Sequence, residues 1–472
     1  MSVNLAAECA PFAVQKSIYK LPVSFLAGRR RIFCCHAILL LTFITILTLQ
    51  LLYLFLFVLY SFIVDVTFAL KEDAMIKLVS FEISGHALFE DGTKFSIQAI
   101  GQNNGTTANR VIDYGHALYL NRTIGVVGVN ASGKSTLFNL FDGLSAFYLE
   151  DQSIDQTALQ YSLRGAGNVT VIADIAATSG MRYQIQTVFT QDEDGQWVVA
   201  AEEIYRKKLG ISARKKDQFN FKTSQLVQKR SDLSAEVSAM LSPKDSSFRA
   251  FKGDEKISEV ISMVSEVDTN RVMTFIDVTP MSLIQYLDDS IEYLHYKTDK
   301  KTRRVIDVQL KFKGQNEPYV APTFQGIMHY LSSGTVRGIT LFYQMYNAIR
   351  FGATLLIDEV ELHINKRIVE DFISFFQNPR INIAKASLVY STHYLELIDD
   401  SERKDENYIL ARRERTHVYR YSDLDIRGDL KKSEVFKSNY IGGTAPSDEH
   451  LAALKKELAE KMPFEVSLRA AK

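Results

Sequence analysis

The sequence predicts an α/β fold built around a phosphate-binding turn, and three observations predict it. The apolar run Thr123–Val127 leads directly into GVNASGKST at Gly128–Thr136. The apolar stretch Leu355–Ile357 ends in the paired carboxylates Asp358 and Glu359. The strand-like LVYS at Leu388–Ser391 runs straight into Thr392 and His393. Short apolar strands that end in chemically competent residues place those residues together at the strands' carboxyl edge.

Composition agrees with a folded chain. Its 472 residues are 46% hydrophobic and 23% charged, enough for a large core in one big domain or two lobes. Lys+Arg and Asp+Glu each total 55, so no global charge advertises nucleic-acid binding and any such surface must be local. All three cysteines, Cys9, Cys34 and Cys35, precede His36. The remainder can therefore hold neither a disulfide framework nor a thiolate metal site, which suits a reducing cytosol.

Taken in order, the segment 75–211 reads as a first nucleotide lobe. Lys77–Ile83 and Lys94–Ala99 have strand composition, with a turn at Asp91–Gly92 and a polar loop from Gly101. Ala117–Val127 brings a strand into the glycine turn. Val169–Ala173, Tyr183–Thr190 and Trp197–Tyr205 follow as strands, with a hairpin signal at Asp192–Gly195. The segment 212–330 reads as a helical insertion, because Ile257, Val260, Ile261, Val264 and Val267 fall on one face of a helix. The segment 331–472 forms the second lobe: a helix at Gly338–Arg350, strands at Ala353–Val360 and Lys385–Ser391, and a closing helix at Asp448–Lys461. Ser447 is its candidate cap, with Leu451, Leu454 and Leu458 facing inward.

The glycine turn works because its glycines let successive backbone N–H groups face phosphate oxygens at a helix start, where the dipole also favours anions. Gly128 and Gly133 shape the loop, with Asn130, Ala131, Ser132 and Thr136 as further lining residues. Lys134 is expected to reach the β- and γ-phosphates, and the Ser135 hydroxyl to ligate Mg²⁺. Asp358 would hold the same Mg²⁺ through water, and Glu359 would polarise the attacking water. His393 can donate a hydrogen bond to the γ-phosphate. LSSGT at Leu331–Thr335 precedes a helix, where Ser332, Ser333 and Gly334 would leave N–H groups and hydroxyls for a second phosphate contact. Since a P-loop already surrounds its own nucleotide, that contact makes sense in a head-to-tail dimer holding two ATP molecules. His363 reads as either structural or dimer-contacting.

Together these residues resemble the ABC-type ATPases grouped with the SMC, DNA-repair and OLD-type proteins, most closely the short AAA/ABC ATPases of bacterial phage-defence and restriction loci. The similarity spans Met75 to the end and rests on GVNASGKS, LSSGTVRGI, IDEVELHIN and the STH turn. It implies an α/β P-loop NTPase of ABC-ATPase head type, with Gly128–Thr136 as Walker A, Leu331–Thr335 as signature, Asp358 and Glu359 as Walker B and His393 as switch histidine. It implies ATP and Mg²⁺ as cofactors, an ATP-bound homodimer, and a partner effector, nuclease or DNA or RNA contact in phage defence. Ser333 and Thr335 stand where transporter ATPases carry glycine and glutamine, which points away from that branch. The Mg²⁺-contacting glutamine is not placed: Gln184, Gln186 and Gln191 are candidates by location. Asp423 and Asp425 spell a nuclease-like pair, but the segment after His393 is too short for a nuclease domain of about 100 residues, so they read as turn residues. Basic clusters at Arg206–Lys208, Arg214–Lys216, Lys300–Arg304 and Arg412–Arg415 are candidate nucleic-acid contacts.

The segment 1–74 does not match the rest. Ala37–Val64 carries no charge over more than the roughly 20 residues a helix needs to span a bilayer. Arg29–Arg31 precede it, so the positive-inside rule keeps the N-terminus in the cytosol and one crossing would set the ATPase outside, away from ATP. Residues 1–74 are therefore either an upstream extension wrongly joined to a start at Met75, or a genuine anchor or re-entrant segment. The first reading gives a cytoplasmic protein. The second gives a membrane-anchored ATPase component of a transport or sensing system, with a transmembrane helix at 37–64.

Overall fold

The computed structural model describes residues 75–103, 105–252, 255–264, 280–299, 305–427, 430–445 and 448–470. The leader 1–74 with its candidate span 37–64 lies outside the described residues, as do Val267, Ser447 and the basic run at 300–304. Among the described residues no helix is long and apolar enough to cross a membrane.

The chain opens with β1 (Met75–Ser84) and β2 (Thr93–Ser96), then the small ribbon β3 (Val111–Asp113) and β4 (Tyr119–Asn121). β5 (Thr123–Gly128) runs into helix α1 (Lys134–Leu149), and the short α2 (Leu159–Ser162) leads to β6 (Val169–Ala177), β7 (Met181–Gln191), β8 (Trp197–Lys208) and β9 (Leu226–Lys229). After α3 (Ala235–Met240) come β10 (Lys256–Ile257) and β11 (Val260–Met263). Helix α4 (Met281–Leu287) precedes a separate three-stranded sheet of β12 (Ile291–Thr298), β13 (Val305–Phe312) and β14 (Tyr319–Ala321). The remainder is α5 (Phe324–Ile327), α6 (Ser333–Phe351), β15 (Thr354–Ile357), α7 (Lys366–Gln377), β16 (Ser387–Ser391), α8 (Glu396–Asp399), β17 (Asn407–Arg412), β18 (Thr416–Arg420), α9 (Lys432–Lys437) and α10 (Asp448–Ala470).

Two large sheets enclose α1. One follows the order β10-β1-β6-β7-β8-β9, with β2 also on β1, and is antiparallel apart from the β1–β10 pair. The other follows β11-β15-β16-β5-β17-β18; its first five strands are parallel and β18 is antiparallel. Strand alternation divides the second sheet between two cores. Ile124, Val126, Leu356 and Val389 pack on the α1 side, while Leu355, Ile357, Leu388 and Tyr390 pack toward α6 and α7. Because α1 is covered by a sheet on each side, it is apolar nearly all round: Leu137, Phe138, Leu140, Phe141, Leu144, Phe147 and Tyr148 are all fully buried. Each such side chain contributes about 1.5–3 kcal/mol of burial. α1 is thus a rigid mount for the loop at its start.

Two expectations fail. Among its described residues, the segment expected as a helical insertion contains β9 to β14, with short helices between them. Ile257 closes β10, and Val260 and Ile261 lie in β11, which pairs in parallel with β15. Their spacing suits a helix, but two sheet edges capture them as strand, Ile257 beside β1 and Val260 and Ile261 beside β15, since a short apolar run does not distinguish the two. In α10, Leu451, Leu454 and Leu458 are about half exposed rather than facing inward. An apolar stripe says that a face wants cover, not that this fold supplies it.

Candidate functional site

β5, β15 and β16 are parallel, so their carboxyl ends converge and carry Gly128, Asp358 and Ser391 respectively. Gly128 is fully enclosed: a Cβ there would lie 2.4 Å from Ser132 Oγ and 3.0 Å from Leu410 Cβ. Gly133, at φ 98°, caps α1 in a conformation that favours glycine, and a Cβ would lie 2.7 Å from Leu88. Ala131 also has positive φ, 59°. Asn130, Ala131 and Ser135 are exposed on the loop, Thr136 is half-buried, and the buried Ser132 hydroxyl has no hydrogen-bond partner.

Lys134 donates to the Gly128 carbonyl at 2.9 Å and to Val129 at 3.4 Å. Burial pulls its ammonium below the ordinary value, while the Asp358, Glu359 and Glu361 carboxylates raise it. The Ser135 hydroxyl hydrogen-bonds one oxygen of Asp358, and the Ser391 hydroxyl bonds the other. Ser391 Oγ in turn accepts the Glu359 backbone N–H at 2.8 Å. Glu359 itself sits at φ 51°, an unusual backbone state for a residue with a side chain, held by this contact and by the Val360 N–H to Ser391 carbonyl bond of 3.0 Å. His393 Nε2 lies 3.7 Å from Glu359 Oε1, and its backbone N–H donates to Glu361 Oε1 at 2.5 Å. Lys134, Ser135, Asp358, Glu359 and His393 therefore form one connected cluster. It presents a cation for phosphate, a hydroxyl and a carboxylate able to hold a divalent metal, and a half-exposed carboxylate beside an imidazole, a base and donor pair for water attack.

The LSSGT motif at Leu331–Thr335 stands apart. Ser332 caps α6, its Oγ accepting Thr335 N–H at 3.0 Å, so that hydroxyl serves the helix itself. Ser332 and Ser333 are exposed while Thr335 is buried. Gly334 packs on the loop after the acidic pair: a Cβ would lie 2.6 Å from the His363 carbonyl. His363 has φ 62° and an exposed side chain, so its backbone, rather than its imidazole, touches the start of α6.

Three participants make contacts that the motifs do not predict. Ser391 joins Asp358 to Glu359, Glu361 anchors the His393 turn, and Arg412 Nη1 donates to the Ala131 carbonyl of the glycine loop at 3.0 Å. Each falls in a stretch the sequence singles out, the STH turn, IDEVELHIN and a basic cluster, but these contacts are not readable there. The glutamine candidates lie elsewhere. Gln184, Gln186 and Gln191 are on β7 of the antiparallel sheet, with the Gln184 amide bonded to Asp174 at 2.9 Å, whereas β11 is the strand beside the acidic one. Asp423 and Asp425 are exposed around a turn, and no group of three or more His, Cys, Asp or Glu able to hold a metal occurs among the described residues.

The parallel sheet and this cluster define a P-loop nucleotide-binding protein of the α/β class. Residues 124–399 match the family model described as "AAA domain, putative AbiEii toxin, Type IV TA system". The chain belongs to that AAA family, whose match runs from the P-loop strand through the His393 turn. No curated protein matches the chain. Among solved structures it is similar to the recombination mediator protein RecF with ATPrS in the RecFOR pathway, at 8% identity and a TM-score of 0.31, covering 73% of this chain and 98% of that one. A superposition that loose carries no structural argument.

Proposed function

We propose that this chain binds and hydrolyses Mg²⁺-ATP as an ABC-type head, and that two copies clamp two nucleotides head to tail. The observation that carries the reading is the contact chain Ser135–Asp358–Ser391–Glu359, which joins the phosphate loop to the acidic strand in one hydrogen-bonded unit. In it Lys134 neutralises the β- and γ-phosphates, Ser135 and Asp358 hold Mg²⁺, Glu359 polarises water and His393 contacts the γ-phosphate. The exposed Ser333 and the side-chain-free Gly334 at the start of α6 would meet the partner's γ-phosphate. The matching family's description names a putative toxin of a type IV TA system, and the resemblance of the motifs to phage-defence ATPases adds an output through a partner effector or a nucleic-acid contact in phage defence. The exposed Arg412–Arg415 turn beside the glycine loop is a candidate for such a contact.

Phosphate release and equilibrium ATP binding test the reading. Lys134→Ala should lose both; Glu359→Gln should keep binding and lower turnover by about 10²-fold or more. Wild-type protein that binds no ATP, or a Glu359→Gln variant with full turnover, would overturn it.

A further inference from the structure

A cavity of about 150 Å³ lies on the α7 side of the parallel sheet, away from the acidic pair. β5 contributes Thr123 and Gly125, β16 Tyr390, and β17 Asn407; Glu406 and Arg110 complete the polar wall. Gly125 makes the room. A Cβ there would lie 3.1 Å from the Tyr390 hydroxyl, 3.2 Å from Asn407 Oδ1 and 3.2 Å from Ile398 Cγ2.

The walls present oxygen acceptors. The Asn407 amide nitrogen is committed to Ser401 Oγ at 3.1 Å and the Arg403 carbonyl at 3.4 Å, so its Oδ1 faces the space at Gly125. Glu406 is 1% exposed; one carboxylate oxygen accepts Ser401 Oγ at 2.7 Å and lies 3.5 Å from Arg110. Its other oxygen, Oε1, is buried with no hydrogen-bond partner among the described residues and lies 4.0 Å from Arg403 Nε. Arg403 is itself taken up by Asp405, at 2.7 and 2.9 Å. Glu370 and Asp400 add two more carboxylates, against the Arg110 guanidinium in the wall and the Lys432 ammonium that donates to the Ser401 carbonyl at 2.6 Å. An unpartnered buried carboxylate oxygen costs free energy unless a donor meets it.

We propose that this cavity binds a small N–H-bearing cation, the ammonium ion or the head of a primary amine, through the Glu406 carboxyl, Asn407 Oδ1 and the Tyr390 hydroxyl. A primary ammonium carries three donors on one compact charge, matching the three oxygens, and the volume limits the ligand to a short chain. The cavity shares strand β5 with the phosphate loop but none of the residues of the Lys134–Asp358–Glu359 cluster.

The test is thermal unfolding of the full chain in sodium phosphate buffer, titrated at constant ionic strength with ammonium, ethylammonium, tetramethylammonium or sodium chloride. A saturable rise in Tm is expected with ammonium or ethylammonium and none with tetramethylammonium, which lacks N–H donors. Tighter saturation by ethylammonium assigns an amine head; response to ammonium alone assigns the free ion. Glu406→Gln and Gly125→Ala should each raise the half-saturating concentration at least about tenfold, while Lys134→Ala should leave it unchanged. Equal shifts with sodium or tetramethylammonium, or a full response in both cavity variants, would overturn the assignment, and the wild-type comparison decides even if a variant fails to fold.

Discussion

Replacing Gly334 with alanine separates two opposed effects whose sizes differ. By helix propensity alone, alanine in the first turn of α6 should stabilise the helix by up to about 1 kcal/mol. The structure opposes this, because the new Cβ would sit 2.6 Å from the His363 carbonyl oxygen, a backbone atom in a residue already held at φ 62°. Ordinary contact needs roughly 3.4 Å or more, so the helix start or the His363 loop must move by about 0.8 Å, at an overpacking cost of about 1–3 kcal/mol. The clash wins. The motion falls on exposed Ser333 and on the loop that follows Glu359, and a misplacement near 1 Å at a reacting centre costs up to about 10²-fold. ATP affinity, set by the P-loop, should stay within about twofold while turnover and ATP-dependent self-association fall by about 10- to 100-fold. Fluorescent-nucleotide titration, phosphate release and light scattering on one preparation measure all three. Unchanged turnover with a raised Tm would refute the reasoning, since propensity would then have outweighed contact.

Other perturbations follow from the same geometry. Ser391→Ala removes the partner shared by Asp358 and the Glu359 N–H; it should lower Tm, by a loss of about 1–3 kcal/mol, and lower kcat more than it raises the KM for ATP. Arg412→Ala frees the Ala131 carbonyl and should weaken ATP binding by about fivefold in titration, near 1 kcal/mol, without abolishing hydrolysis. Lys77 is fully buried, which lowers its ammonium to about 8, and it donates to the Gly352 carbonyl at 3.5 Å. Because its folded value lies below that of the unfolded chain, wild-type stability should rise as pH climbs from about 8 to 10. Lys77→Met should flatten that rise and stabilise the protein at pH 7, by at most about 3 kcal/mol, as chemical denaturation at the two pH values will measure.

The parallel strands of the site were legible because each joins a short apolar run to a motif with its own chemistry, as in Leu355–Glu359 and Leu388–His393. What stayed hidden is lateral. The bonds from Ser391 to Asp358 and from Arg412 to Ala131 join residues far apart in sequence, and no spacing rule encodes them. The edge strands β10 and β11 escape a reading by periodicity for a different reason: Ile257, Val260 and Ile261 suit a helical face, and only pairing with β1 and β15 decides for strand. The leucine stripe of α10 shows the converse, a periodic pattern correctly read as helix but with its covering face misassigned.

Mixing two inactive subunits tests the sharing of nucleotide between copies most directly. Lys134→Ala retains a sound signature helix, and Ser333→Arg retains a sound P-loop but blocks the surface offered to a neighbour. An equimolar mixture should regain about a quarter of wild-type turnover, since half the dimers would be mixed and each would hold one intact composite site. If Ser333→Arg alone hydrolyses ATP at the wild-type rate, or two well-folded variants regain nothing on mixing, each copy does not depend on the other's helix and the head-to-tail clamp is wrong.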